Sequence, residues 1–368
     1  MATYELLVCD LRTDRLLDRI PARDVSYDNY IGKTGTLSAT IDLSNSDIAR
    51  RVRTSVLPGR TMLYLERWDA FAGTIVWGGI LWTRTPSRDA RGVWTCAIQA
   101  AGLESVLRSH RMLTDTLTST NVDQLDIART LVAYAQSAPG GNLGIEIDYS
   151  QTSGVLRDRV YSRYDLPWIG GLIDQLAAVQ GGFEWIIQCY RSDDGARHRA
   201  LRLGYPRLSV GSGDLVLSGP GPITTYSLPE DATRQANAWQ SRGATVNSNL
   251  AAESTPLMSA PLTTPADIAA GWPRLDGTSD YSTVISQDVL DQHARADLDA
   301  ARRPSLIPSV AYTSGGIDQP QLGSYTRIRI DDVWYYDGLR ARYRVVGLKV
   351  SPEERGRSES TELYLEAT

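Results

Sequence analysis

Hydrophobic residues recur along the chain with two different periods, and these periods predict many strands and a few helices. From Tyr4 to Leu43, short apolar runs are separated by turn-forming residues, which is typical of an antiparallel meander. Three more strand-like runs follow before residue 101, namely TMLYLERW, TIVWGGILW and VWTCAIQA. Six or seven strands in this stretch favour a small closed or nearly closed barrel, because closure removes exposed strand edges.

Helical periods appear in the next part of the chain. A short helix is predicted from Leu103 to Leu107, and a longer one follows Asn121 or Asp123, either of which can cap its first turn. The run GIEIDY then predicts a strand.

Between Asp165 and Arg191 a helical period changes into a strand-like alternation. Pro167 suits a first helical turn, and Gly181-Gly182 ends the helix because glycine adopts positive φ without strain. We therefore predict one helix packed on one strand. The predicted core of this unit is Trp168, Ile169, Leu172, Ile173, Leu176, Phe183 and Trp185.

Strand patterns return after Leu201 and continue to the end of the chain. A polar stretch at residues 247–283 has no sustained period and predicts an excursion with little internal order. A helix is predicted from Gln287 to Arg303, with Pro304 ending it. The fold class is thus α+β and mostly β: a first β-barrel at 1–108, an α+β module at 109–205, and a second β-barrel region at 206–368 with a helix-containing insertion at about 250–304.

Composition and charge exclude several classes of function. The 368 residues fit two or three domains, and a net charge of −5 argues against wrapping nucleic acid, which needs a clustered basic surface. No run of eighteen apolar residues and no signal-peptide layout occurs, so we expect synthesis in the cytoplasm.

Candidate chemistry is sparse. The three histidines lie far apart in the sequence, and the three cysteines predict buried free thiols rather than disulfides or a metal site. The pairs Asp193-Asp194 and Asp331-Asp332 adjoin turns, where aspartate stabilises the backbone bend. We predict no catalytic, metal-binding or cofactor-binding residue. Trp77, Trp82, Trp94, Trp185 and Trp334 all fall in strand-like runs, which indicates packing, with sugar stacking as the alternative.

Several segments, taken in order, resemble the tail hub or baseplate hub proteins of tailed bacteriophages, known as minor tail proteins in phages of actinobacteria. The segments are YELLVCDLRTDRLLDRIP, TGTLSATIDL, GRTMLYLERW, VWGGILW, LDIARTLVAYAQ, GGNLGIEI, DLPWIGGLIDQLAAVQGGFEW, AAGWPRLDG, VLDQHARADLDAARRP and ARYRVVGLKVSPEERGRSESTELYLEA. The resemblance runs nearly from end to end.

The resemblance implies a structural virion protein with two tail-tube-like barrels, located at the tail tip. Such a hub is a homotrimer whose six barrels meet the sixfold end of the tail tube, and DNA passes through its channel without specific binding. The implied partners are the distal tail protein or tail tube, the tape measure protein, and tip or fibre proteins, with the host surface contacted indirectly. Some relatives carry a lytic domain behind the hub, and this sequence stops after its last predicted strand, so we expect no enzyme. A carbohydrate-binding tip protein is the alternative, and a glycosidase would need two carboxylates across a cleft.

Overall fold

A computed structural model describes residues 3–68, 73–211, 213–245, 255–282, 284–302, 308–314, 317–354 and 356–367. The chain divides into two compact units. The first comprises Met1–Asp174, Phe183–Tyr226 and Ser309–Thr368, and the second comprises Gln175–Gly182 and Ser227–Pro308. Strands dominate and most of their pairings are antiparallel, which confirms the prediction of a mostly β chain of the α+β class.

The described residues form strands and helices with the following bounds. The strands are β1 (Thr3–Asp10), β2 (Leu16–Ile20), β3 (Arg23–Tyr30), β4 (Thr36–Asp42), β5 (Thr61–Trp68), β6 (Gly73–Arg88), β7 (Trp94–Ala101), β8 (Leu117–Asp123), β9 (Glu146–Ile147), β10 (Leu156–Tyr161), β11 (Glu184–Arg191), β12 (Arg197–Gly204), β13 (Leu215–Gly219), β14 (Ile223–Ser227), β15 (Ala238–Thr245), β16 (Pro256–Met258), β17 (Leu262–Thr263), β18 (Asp276–Asp280), β19 (Ser309–Thr313), β20 (Tyr325–Ile330), β21 (Leu339–Ser351) and β22 (Ser360–Ala367). The helices are α1 (Ser46–Ser55), α2 (Glu104–Ser109), α3 (Gln124–Ser137), α4 (Ile169–Ala177), α5 (Pro265–Ala269) and α6 (Gln287–Ala301). None of these helices has both the length and the apolarity needed to cross a lipid bilayer.

Strands from both ends of the chain share one sheet of thirteen strands. Its main path runs β14-β19-β22-β21-β3-β4-β7-β6-β5-β1-β2, while β13 and β20 join it through β21. Strand β3 pairs with β21 in antiparallel register, with Tyr30 opposite Gly347 and Tyr27 opposite Val350. The strands assigned to the first and second predicted barrels are therefore hydrogen-bonded to each other. The division into two barrels stays a prediction.

Gly347 makes the β3–β21 pairing possible. A Cβ atom on this residue would lie 2.4 Å from Cδ1 of Tyr30, whose ring covers the glycine. The register of β21 against β22 shifts between Val345 and Gly347, and the carbonyl of the intervening Val346 accepts a hydrogen bond from Ile31 N at 2.9 Å. A bulge of this kind bends a strand and redirects its pairing.

The core of the first unit draws on both ends of the chain. Leu37, Ile98 and Trp77 from the early strands and Val345 and Leu363 from the late strands belong to one buried cluster, and each is at most 1% exposed. This core extends from Leu6 to Leu365 along the sequence, so it ties the two ends of the chain together.

Helix α1 was not predicted from the sequence. Asn45 caps it by accepting hydrogen bonds from Asp47 N at 2.7 Å and Ile48 N at 3.4 Å, and Val52 is its one buried residue. The Asn-Ser-Asp cap and the four-residue spacing of Ile48 and Val52 are the signals that could have identified it.

The predicted α+β module contains two small sheets. Strands β11, β12 and β9 form one, and β10 and β8 form the other. The predicted strand GIEIDY is shorter than expected, since only Glu146–Ile147 pairs, in parallel with β12. Helices α2, α3 and α4 lie where the helical periods predict them.

The second unit is centred on β15, which pairs with β16 and β17 in antiparallel and with β18 in parallel orientation. This arrangement corrects the prediction of low internal order, because residues 255–282 contain three strands and α5. Residues 246–254 and 283 of the polar stretch lie outside the described residues. Helix α6 begins at Gln287 as predicted and ends at Ala301, while Arg303 and Pro304 lie outside the described residues.

Candidate assembly site

Most residues of the predicted helix-and-strand core are buried. The buried members are Ile169, Leu172, Ile173, Leu176, Phe183 and Trp185, each at most 6% exposed. Trp168 is the exception, and its placement in the core was wrong because the side chain is 43% exposed. Helix α4 begins only at Ile169, and Trp168 instead forms an extended backbone bridge with Met112, so it does not lie on the helix face.

Arg108 joins the end of α4 to the large sheet. Its Nε and Nη2 donate to the two carboxylate oxygens of Asp174 at 2.9 Å each, and Trp185 Nε1 donates to the same carboxylate at 2.9 Å. The guanidinium carbon lies 4.8 Å from the centroid of the Trp185 ring. Arg108 also donates to Thr34 Oγ1 at 3.0 Å, beside strand β4. Stacking and bidentate pairing together fix the position of the arginine.

A second ionic joint connects the β1–β2 turn to β12. Asp14, at a φ of +55°, accepts hydrogen bonds from Tyr64 Oη at 2.7 Å, from Arg197 Nε at 2.8 Å and from Arg199. Arg199 is 4% exposed and also donates to the carbonyls of Leu11 and Leu143, at 2.7 and 2.6 Å. Burial raises the pKa of Tyr64 far above its ordinary value, so the phenol stays a donor. The turn is thus held by a nearly fully buried cation, Arg199, while Asp14 and Arg197 remain partly exposed.

A third joint centres on Arg344 of β21, which is 2% exposed. Its Nη1 donates to Glu184 Oε2 at 2.7 Å and to the carbonyl of Leu208 at 2.9 Å, and its Nε donates to Glu366 Oε2 at 3.0 Å. Glu184 Oε2 also accepts from Leu208 N at 2.8 Å. Burial alone would lower the pKa of Arg344, but the two carboxylates outweigh burial and raise it. This joint fixes β11 against the large sheet.

The groups considered for chemistry are engaged in structure. Burial raises the pKa of the Cys9 thiol to about 11 and of the Cys189 thiol to about 12, so neither is a reactive thiolate at neutral pH. Asp194 accepts a hydrogen bond from Ala196 N at 3.0 Å in the β11–β12 turn. Within the described ranges, no three His, Cys, Asp or Glu side chains are grouped as a metal site would need.

The turn between β20 and β21 is the most exposed apolar feature among the described residues. The exposed fractions are 98% for Val333, 77% for Trp334 and 85% for Tyr336. The prediction that Trp334 packs in a strand is therefore wrong. Trp77 and Trp185 are buried, and Trp94 is 49% exposed but lies opposite Arg88 in the sheet, with the guanidinium carbon 5.7 Å from the centroid of its ring. We call residues 331–338 the aromatic turn.

The aromatic turn is held rigidly by its own polar groups. Asp332 Oδ1 accepts from Trp334 N and Tyr335 N at 2.9 Å each, and its other oxygen accepts from Tyr226 Oη. Arg340 Nη2 donates to both oxygens of Asp331 at 2.7 and 2.8 Å. The Asp-Gly dipeptide at 337–338 is the sequence signal that could have placed a turn here. The described residues thus include three ionic joints and an exposed apolar turn that its own polar groups hold in place.

This chain is similar to known proteins in structure but not in sequence. No protein-family model matches the chain, and no curated protein matches it in sequence. Its fold is similar to that of the tail protein from Neisseria meningitidis MC58, with a TM-score of 0.61 at 12% identity, over 98% of this chain and 96% of that one. It is also similar to the 43 kDa tail protein of prophage MuSo2 from Shewanella oneidensis, with a TM-score of 0.58 at 9% identity, over 99% and 98% of the two chains.

Prophage tail protein gp18 from Listeria monocytogenes EGD-e is a third similar structure, with a TM-score of 0.53 at 12% identity, over 99% of this chain and 95% of that one. All three likenesses cover nearly the whole of both chains. The chain therefore has the fold of these tail proteins.

Proposed function

We propose that this protein is a structural component of a phage tail, the hub at the distal end that joins the tail tube to the tip. The observation that carries the proposal is the likeness to three tail proteins along nearly the full length of each. A likeness confined to one barrel would support only a shared domain.

The hub we propose is a homotrimer that forms part of the DNA channel. Each chain would contribute two tube-like barrels, one from residues 1–108 and one from 206–368, and three chains would present six barrels to the sixfold tube. The hydrogen bonding of β3 to β21 supports this arrangement, because it would fix the two barrels of one chain side by side. A net charge of −5 suits a channel through which DNA slides without binding.

In this role the partners are other tail components: the distal tail protein or tail tube, the tape measure protein, and tip or fibre proteins. The protein would be made in the host cytoplasm and reside at the virion tail tip. In the proposed role it acts without catalysis, and two of its buried charged side chains, Arg199 and Arg344, are engaged in the ionic joints.

Electron cryomicroscopy of particles that carry this chain tests the proposal. We expect the chain at the tail tip, in three copies around a channel wide enough for duplex DNA. Six copies in a ring, one tube-like barrel per chain, or a location in the head would refute it.

A carbohydrate-binding tip protein is the second candidate, and the exposed rings of Trp334 and Tyr336 favour it. Sugar recognition also needs polar groups that bind hydroxyls, and Asp331 and Asp332 are occupied by Arg340 and by the turn itself. A glycan array decides between the two: specific binding that is lost in Trp334→Ser would favour this candidate over a purely structural hub.

A further inference from the structure

The aromatic turn has the properties of a docking element for another protein. Trp334 and Tyr336 are large, rigid side chains of the types that dominate protein interfaces. They are held before binding by the hydrogen bonds of Asp332, so docking would order few additional groups. Asp331, Asp332 and Asp337 belong to the same turn, and their carboxylates oppose insertion into an anionic membrane surface. The chemistry therefore points to a partner surface that combines an apolar hollow with a basic rim.

The first unit of the same chain contains such a hollow. A partly enclosed cavity of about 1000 Å³ lies among β3, β6, β11 and the segments 202–210 and 318–322. Its lining includes the aromatic rings of Tyr30, Trp77, Tyr190 and Tyr205. A cavity of this size accommodates a pair of aromatic side chains.

The charge of this cavity complements that of the aromatic turn. Five cationic side chains and two acidic ones line it. The acidic residues are Asp318 and Glu104, and Glu104 is buried and accepts a hydrogen bond from Ile187 N at 2.7 Å. Of the cations, Lys33 and Arg202 form no ion pair with any described residue: Arg202 donates to Gln188 Oε1 at 3.2 Å, and Lys33 Nζ lies 5.9 Å from the centroid of the Tyr30 ring. Two cations are thus available to incoming carboxylates.

We propose that the aromatic turn of one copy docks into this cavity of a second copy, with Asp337, which forms no ion pair with any described residue, beside Lys33. The two surfaces are different parts of one chain, so the contact is head-to-tail, and a rotation that closes generates a ring. The inference deepens the proposed function, since it rests on a ring of copies in the tail and identifies the contact that closes it.

Zero-length carbodiimide crosslinking tests this contact, because the reagent joins a lysine amine to a carboxylate in direct contact. The chain has only two lysines, Lys33 and Lys349, so the crosslinked amine can be assigned by mass spectrometry without ambiguity. In assembled particles we expect covalent dimers and trimers of the chain in which Lys33 is joined to Asp337.

Three variants sharpen the test. Lys33→Arg keeps the charge but removes the amine, and should abolish the crosslink while the particle still assembles. Trp334→Ser should lower the yield of crosslinked dimer at least about tenfold, as expected for loss of a central aromatic anchor. Trp94→Ser changes another exposed tryptophan and should leave the yield unchanged. Because Trp334 is 77% exposed, its substitution should not alter the melting temperature of the purified chain.

The outcomes separate this inference from the proposed function. Three copies in the tail without a crosslink from Lys33 to the aromatic turn would overturn the docking and leave the hub proposal intact. If the chain is absent from tails, the hub proposal fails, and the same crosslinking on the concentrated purified chain decides the docking. A dimer joined through Lys33 and the aromatic turn then supports it, and its absence overturns it.

Discussion

Removing Glu184 tests whether the Arg344 joint stabilises the first unit. In Glu184→Ala, the guanidinium of Arg344 loses both of its contacts to Glu184 but keeps Glu366 and the carbonyl of Leu208. The amide of Leu208 loses its acceptor as well. Breaking one side of a buried ion pair costs about 3–5 kcal/mol. Since one carboxylate remains, we expect the lower end of that range, about 3 kcal/mol.

Thermal unfolding followed by circular dichroism measures this loss. For a unit this large, each kcal/mol of lost stability lowers the melting temperature by less than about 2 °C. The melting temperature of Glu184→Ala should therefore fall by about 5 °C. Arg344→Met in the Glu184→Ala background should cost little more, because it removes the uncompensated buried charge. Arg50→Met is the matched control, since Arg50 pairs with Asp47 on the surface, where its side chain is 75% exposed, and such pairs contribute about 0–1 kcal/mol.

A melting temperature of Glu184→Ala within about 1 °C of the Arg50→Met control would refute the reasoning. It would mean that Glu366 alone satisfies the arginine. Additive effects of Glu184→Ala and Arg344→Met would also contradict it, because directly coupled residues give non-additive losses.

Three further predictions concern single side chains of the first unit. Leu172→Asp puts a carboxylate at a position that is 6% exposed and should destabilise the fold by several kcal/mol. The expected result is a lower melting temperature or insoluble protein. An unchanged melting temperature would mean that the buried face of α4 is misassigned. Gly79→Ala places Cβ 2.3 Å from the carbonyl oxygen of Ala101 and should lower the free energy of unfolding, measured by chemical denaturation, by about 1–3 kcal/mol. Gly171→Ala is the control: open space surrounds its Cβ position, so this change should be neutral or stabilising. Burial raises the pKa of Glu104 in the folded protein above its value in the unfolded chain. The protonated carboxyl therefore contributes its full stability below the unfolded-state pKa, and this contribution is lost as the pH rises through the folded-state pKa. The difference in melting temperature between Glu104→Gln and the wild type should therefore be more favourable to the variant at pH 8 than at pH 5. Melting temperatures that change in parallel with pH would contradict this.

Local patterns were enough to predict most helices and strands. Helix α3 follows from its cap at Asp123 and its apolar face, and α6 begins at the predicted Gln287 because a periodic run starts there. Helix α1 was missed because only Ile48 and Val52 mark an apolar face in an otherwise polar segment.

Pairings between distant residues could not be predicted in this way. Tyr30 and Gly347 are opposite each other in the sheet, but nothing in either local sequence specifies the other partner. The same holds for Arg344, whose burial reflects two carboxylates from separate parts of the chain. Trp334 was misplaced because Val333, Tyr335 and Tyr336 are residue types that favour strands, whereas the hydrogen bond from Trp334 N to Asp332 bends the backbone into a turn.

The aspartates of the aromatic turn explain how so apolar a surface can be displayed in solution. Exposed runs of valine, tryptophan and tyrosine promote association with the wrong partners, and flanking charges oppose this. Asp331, Asp332 and Asp337 supply those charges, while Asp332 also fixes the backbone that presents Trp334. One set of carboxylates would thus prevent premature contacts, shape the turn and select a basic cavity. A partner lacking a free cation such as Lys33 would leave Asp337 desolvated without compensation, so the turn would favour the cavity of a second copy over a purely apolar surface.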